Sequence, residues 1–168
     1  MLLQPQQIPI AAMKWIGFFD NFEGRIARKT FWLASVVVFV IEVIIAAIAA
    51  ATVEEFAGEG AGDLATDFVL FFFLYPQFII SLKRGHDRNI STWVIVVWYI
   101  VLALFDVFRF AGWLRTNPNQ NVFSIGNLAA FAFVMFAGVI SLALLIELGF
   151  RRGTYGPNRY GADPLAKA

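Results

Sequence analysis

The sequence predicts an all-α membrane protein, four transmembrane helices carrying a polar cap on their cytoplasmic side. Three observations lead there. Of 168 residues 60% are hydrophobic and 15% charged, with a mean hydropathy of +0.70, well beyond the roughly 45–50% apolar content of a soluble domain. The apolar residues gather into four runs, at 31–53, 64–82, 92–110 and 123–150, each close to or above the roughly 20 residues that cross a hydrocarbon core. Finally, eleven of the thirteen Lys and Arg residues fall on one side of those runs. There is no cysteine, which excludes disulfides, thiolate catalysis and Cys-ligated zinc or iron–sulfur sites.

In chain order, Met1–Gln7 is a polar tail without a basic residue, a poor start for a signal peptide. Residues Ile8–Phe22 are interrupted by Pro9, Lys14, Gly17 and Asp20 and read as an interfacial segment anchored by Trp15. If the following stretch is helical, Arg25, Arg28 and Lys29 share one face at i, i+3 and i+4. The first span has one charge, Glu42, near its middle, and the pairs Ala46/Ala50 and Ala47/Ala51 would let a second helix approach closely. Residues Glu54–Asp63, with four acids and three glycines, are expected as a flexible acidic loop. The second span contains Pro76, which removes one backbone hydrogen bond.

Leu82-Lys83-Arg84-Gly85-His86-Asp87-Arg88-Asn89 then sets five ionisable residues between two apolar runs, a charged knot at a membrane surface. Near the end of the third span Asp106 and Arg109 have the i, i+3 spacing of a local ion pair. The linker Arg115–Asn121 carries the turn signal Asn117-Pro118-Asn119. The fourth run exceeds one span and is stopped by Arg151 and Arg152. Three glycines and two prolines in residues 153–164 call for successive tight turns.

Orientation follows from counting. Lys14, Arg25, Arg28 and Lys29 precede the first span, Lys83, Arg84 and Arg88 separate the second from the third, and Arg151, Arg152, Arg159 and Lys167 follow the fourth; only Arg109 and Arg115 lie opposite. The positive-inside rule places both termini and the central knot in the cytoplasm. An odd number of spans would divide the basic segments between the two sides.

Three polar segments distant in sequence are thereby brought to one membrane face. Phe22-x-Gly24-Arg25-Ile26-x-Arg28-x-x-Phe31-Trp32, then Pro76 followed by Lys83-Arg84-Gly85-His86-Asp87, then Gly156-Pro157-Asn158-Arg159-Tyr160-Gly161-x-Asp163-Pro164 resembles the DUF805 family of small bacterial inner-membrane proteins. The resemblance runs from about Phe18 to Pro164, with three motifs in the family's order. The departures are Lys83 for an arginine, Gly85 for a larger residue and Arg88-Asn89 for a small Gly-containing turn. What the resemblance implies is a single multi-pass domain over residues 1–168 in the bacterial inner membrane; it implies no activity, because the family is one of unknown function.

The functional expectation is a non-enzymatic membrane protein, without cofactor or metal, whose cytoplasmic cap binds an anionic lipid headgroup or an acidic segment of a partner. The cap comprises Gly24, Arg25, Arg28, Lys83, Arg84, His86, Asp87, Asn158, Arg159, Tyr160, Gly161 and Asp163. Topology alone explains the positive charge, but has no use for His86-Asp87 or for the C-terminal motif. The expected partners are membrane lipids and a protein partner or second copy of the chain; nucleic acid is not among them. Two alternatives come from other classes. An ionisable group inside a span costs at least about 2.5–3.5 kcal/mol on insertion scales, so Glu42 suggests a small transporter or channel subunit. His86 suggests a membrane enzyme, although neighbouring helical positions diverge by about 100°, which separates it from Asp87.

Overall fold

A computed structural model of the protein describes residues 17–58, 60–110 and 125–166. Its regular elements are helices: α1, Arg28–Ala57; α2, Ala61–Asp87; α3, Thr92–Phe110; and α4, Ile125–Leu145, which continues into a π-helical turn at Ile146–Phe150. All four are long and apolar enough to cross a membrane, as the predicted fold class requires. The tail Met1–Gln7, Lys14, the Trp15 anchor, the linker Arg115–Asn121 and Lys167 lie outside the described residues.

Helix α1 has 30 residues, about 45 Å at 1.5 Å per residue. Its inward stripe is Phe31, Ala34, Val38 and Ala46, while Leu33, Val36, Val37, Val40 and Ile44 are exposed. Acyl chains are as apolar as those side chains, so close packing rather than burial from water draws the helices together. Ala46 is buried and Ala50 half-buried, whereas Ala47 and Ala51 are exposed, so only the first small-residue pair faces α2. At Gly62 a Cβ would stand 2.9 Å from the Ala50 carbonyl; glycine is what lets α2 meet the backbone of α1.

Two expectations need correction here. The acidic stretch Glu54–Asp63 is mostly helical, since α1 runs to Ala57 and α2 begins at Ala61. Gly58 and Gly60 take φ of +88° and +83°, conformations glycine adopts without strain, and Asp63 lies in the first turn of α2, where the helix dipole favours an acid. The charged knot belongs to the same helix as the second apolar run, because α2 continues through Asp87. Its end is a Schellman cap: Ile90 N–H donates to Gly85 O at 2.9 Å and Asn89 N–H to His86 O at 3.0 Å, with Asn89 at φ +56°. The second correction is that Arg25 does not share a helical face with Arg28 and Lys29. The chain is extended at Ala27, and Ile26 N–H donates to Lys83 O at 3.4 Å, which docks the segment before α1 onto the end of α2.

The buried apolar cluster sits just beneath that docking point. Ile26, Phe31, Ala34, Val38, Ile80, Leu82, Ile95 and Leu148 meet there from α1, α2, α3 and the π-helical turn. Helix α4 joins the others chiefly through this turn, with Phe105 and Phe133 stacked at 4.1 Å between α3 and α4. Trp32 lies so close to Gly149 that a Cβ there would be 2.6 Å from the indole ring.

Candidate functional site

A helix end leaves carbonyls without intrahelical partners, and the end of α4 shows how this chain meets that demand. Leu148 O accepts from Arg84 Nε at 2.6 Å, Gly149 O from Trp32 Nε1 at 3.0 Å, Phe150 O from Arg28 Nη1 at 3.1 Å, Arg151 O from Arg84 Nη2 at 2.6 Å and Arg152 O from Arg88 Nη1. Five consecutive carbonyls are thus taken by side chains of α1, of α2 and of the turn after α2. Arg84, fully buried, can serve two of them because a guanidinium presents five donors in a fixed fork.

Asp87 is the anion at the centre of this arrangement. Its side chain is 4% exposed and pairs with Arg84 and Arg25, themselves 0% and 1% exposed. Arg25 reaches Asp87 Oδ1 from Nη2 at 3.0 Å and donates onward to Gly156 O at 2.8 Å, Gly161 O at 3.2 Å and Thr154 O at 2.8 Å. The first motif is thereby tied to the second by an ion pair and to the third by backbone carbonyls. From the other side, Thr154 N–H and Oγ1 donate to the Asp87 carbonyl at 2.8 and 3.0 Å. A Cβ on Gly153 would overlap the Asp87 carboxylate, so the tail passes here only as glycine.

The remaining motif residues fasten the rim. Lys83 Nζ donates to Phe18 O at 2.6 Å and Asn21 Oδ1 at 3.1 Å. The Gly24 carbonyl, presented by a residue at φ +92°, lies 3.2 Å from His86 Nδ1, and Thr92 Oγ1 lies 3.0 Å from Nε2. A carbonyl only accepts, so Nδ1 carries a proton, and Nε2 shares a hydrogen bond with the Thr92 hydroxyl. The same ring stacks on Tyr160 at 3.9 Å, whose hydroxyl donates to Ile90 O at 3.0 Å. Asn158 Nδ2 donates to His86 O at 2.9 Å, within a tight turn closed by reciprocal Asn158 and Gly161 backbone bonds of 3.0 Å. Arg159 stands outside, over Tyr160, donating to Asn89 O at 3.3 Å. Asp163 is held by the amides of Gly156 and Leu165 at 3.0 and 2.9 Å, which keep its carboxyl below the usual range, the Leu165 bond contributing most.

Sequence reasoning missed Gly153 and Thr154, and of the two partners of Glu147 it foresaw Arg151 but not Arg88. Gly153 and Thr154 were seen only as turn-formers. Glu147 bridges Arg88 and Arg151 at 2.8 and 2.7 Å, closing the turn after α2 onto the end of α4. Beneath the tail lies a cavity of about 720 Å³ bordered by Arg28, Arg84, Asp87, Arg152, Tyr155 and Asp163. Among the described residues no group of three His, Asp or Glu side chains could hold a metal.

Glu42 belongs to a different neighbourhood, half-buried along α1. The expected Asp106–Arg109 ion pair is replaced by one between helices: Arg109 binds Asp67 at 2.5 Å, with Asp67 only 6% exposed. Antiparallel neighbours bring the end of α3 beside the start of α2, so the buried carboxylate there takes the arginine. Asp67 was legible as a second acid within the α2 run, four residues after Asp63.

Fold and site together define a class, a polytopic α-helical membrane protein in which the segment before α1, the α2–α3 turn and the C-terminal tail are locked into one polar cap around a buried Arg–Asp–Arg cluster. The chain belongs to the family described as "Protein of unknown function (DUF805)", whose model matches residues 19–162. It is 28% identical over 148 residues to YiiR, an uncharacterized protein of Escherichia coli K12, covering 85% of each chain. It is 25% identical over 152 residues to the inner membrane protein YhaH of the same organism, covering 90% of this chain and 93% of that one. No solved structure matches it.

Proposed function

We propose that this protein resides in the bacterial inner membrane with both termini and the cap in the cytoplasm, and that the cap is a non-catalytic binding module for an anionic group at the membrane surface. One observation carries the reading. Cations outnumber acids across the cap: Asp87 and Glu147 are paired with Arg25, Arg84, Arg88 and Arg151, Asp163 is a carboxylate held by backbone amides, and Asp20 and Glu23 are exposed, while several cations have no acid partner. Arg28, Lys29, Arg152 and Arg159 have no carboxylate partner among the described residues. Such residual charge at a cytoplasmic surface attracts anionic lipid or acidic protein segments at about 1 kcal/mol per cation. The printed name of YhaH supports the location, and the Lys/Arg distribution supports the orientation. His86 speaks less for catalysis, because both ring nitrogens and one ring face are engaged in holding the cap.

The test is a photo-crosslinking residue at Tyr155, which is 83% exposed, activated in native membranes and read by mass spectrometry. Covalent capture of an anionic lipid or of an acidic protein segment is expected. Adducts drawn only from zwitterionic lipid, in proportion to its abundance, would overturn the reading.

A further inference from the structure

The cavity beneath the C-terminal tail has a composition that the rest of the cap lacks. Of its charged border, Asp87 is neutralised by Arg25 and Arg84, and Asp163 has one oxygen on the Gly156 amide and the other on the Leu165 amide. Asp163 keeps its negative charge, but two guanidinium groups, Arg28 and Arg152, have no salt bridge among the described residues and leave the border net positive. Among the described residues the Arg28 side chain makes a single hydrogen bond, to Phe150 O. Arg152 rests on the Tyr155 ring at 4.8 Å, with no ion pair or hydrogen bond to its guanidinium among the described residues. Both are exposed and both border the cavity. The start of α1 adds to the same field, having no side-chain cap and no acidic residue in its first turn, where a helix carries about half a positive charge.

Position fixes what kind of anion can arrive. Arg28 opens a helix of span length, and its one acceptor, Phe150 O, closes the last apolar helix. The cavity therefore sits where two spans leave the hydrocarbon core, at headgroup depth. Tyr155, Pro157, Ala162, Leu165 and Ala166 supply apolar walls, and further along α1 Leu33, Val36 and Val40 are exposed. A volume of about 720 Å³ is within the range of small-molecule sites.

We propose that this cavity is a binding site for the phosphate of a glycerophospholipid headgroup, held between Arg28 and Arg152, with the glycerol against the tail and the acyl chains along α1. It rests on the reading of the cap as an anion-binding module and names the site and the ligand. Guanidinium groups suit a phosphate because they offer two parallel donors to its oxygens. No carboxylate has to be displaced for the lipid to enter.

The experiment uses the full chain in a neutral detergent, with dioleoyl phosphatidylglycerol, dioleoyl phosphatidylcholine and sodium phosphate as probes, read by native mass spectrometry and the thermal unfolding midpoint. Wild type should bind phosphatidylglycerol in preference to phosphatidylcholine. Arg28→Gln and Arg152→Gln should each weaken this about tenfold, the loss of one charge-assisted contact, and the double variant should lose the preference. Lys29→Gln, which removes an equal charge outside the cavity, should weaken it less than either arginine variant does, and Arg28→Lys should recover part of the loss. Unliganded midpoints within a few degrees of wild type show that the variants fold. If wild type prefers phosphatidylglycerol and the double variant does so equally, or if Lys29→Gln weakens binding as much as Arg28→Gln, the cavity is not the site, although an anion-binding cap survives. Competition by millimolar phosphate as effective as that by the lipid would overturn the lipid source. No preference in wild type removes the inference together with the reading beneath it.

Discussion

Asp87 is the position at which this structure predicts the largest single loss. Asp87→Asn preserves the shape but leaves Arg25 and Arg84, 1% and 0% exposed, without a counter-charge. Breaking a buried ion pair by removing one partner costs about 3–5 kcal/mol, and here one carboxylate serves two arginines, so the upper half of that range is expected. Arg25→Gln should cost less. Arg84 still neutralises Asp87 in that variant, and the loss is mainly of the bonds from Arg25 to Gly156, Gly161 and Thr154, each about 1.5–3 kcal/mol when the donor is charged and partly recovered by water and the Gln amide; a total of about 2–3 kcal/mol follows. In the double variant Arg84 alone is left unpaired, so the two losses should fall short of additivity by about 1–3 kcal/mol, the range for residues in direct contact. The assay is equilibrium unfolding in mixed micelles titrated with SDS, for wild type, both single variants and the double. Additive losses below about 1 kcal/mol, the value of an exposed pair, would show that the cluster is solvated and that the basic residues act only as topology anchors.

Three further outcomes follow from the same geometry. Gly153→Ala forces a Cβ into the Asp87 carboxylate and should cost at least the roughly 1–3 kcal/mol of an overpacked site, so an unchanged SDS midpoint would refute the close approach. Arg109→Gln leaves the buried Asp67 unpaired and should destabilise the protein more than Asp106→Asn; the reverse order in unfolding would restore the local pair. The Asp163 carboxyl is held below its ordinary value by the Leu165 and Gly156 amides, so its contribution is complete above the unfolded value of about 3.9 and disappears as pH falls through the lower folded value. Asp163→Asn should therefore be less stable than wild type near pH 7, with the gap in unfolding midpoint closing below about pH 4; a constant gap would place the effect elsewhere.

The sequence by itself determined the solvent of this protein and the number of its spans. Four apolar runs of membrane length leave few choices, because backbone polar groups in lipid must be satisfied within a helix, and a pattern of that kind is local. The three motifs were legible for the same reason, as polar residue types whose spacing has no use in lipid. The tertiary structure decided how the charges are shared. The i, i+3 spacing of Asp106 and Arg109 suggested a pair within one helix, but the buried Asp67 of the antiparallel neighbour has the greater need of a cation and takes it. The knot at Lys83–Asp87 read as a charged patch at the membrane surface, yet it is the buried end of α2, because carbonyls of α4 and the segment before α1 give its cations somewhere to donate. Composition cannot foresee such partners. An arginine can enter a protein interior only where distant backbone and a carboxylate converge on it, and that convergence exists once the helices have packed.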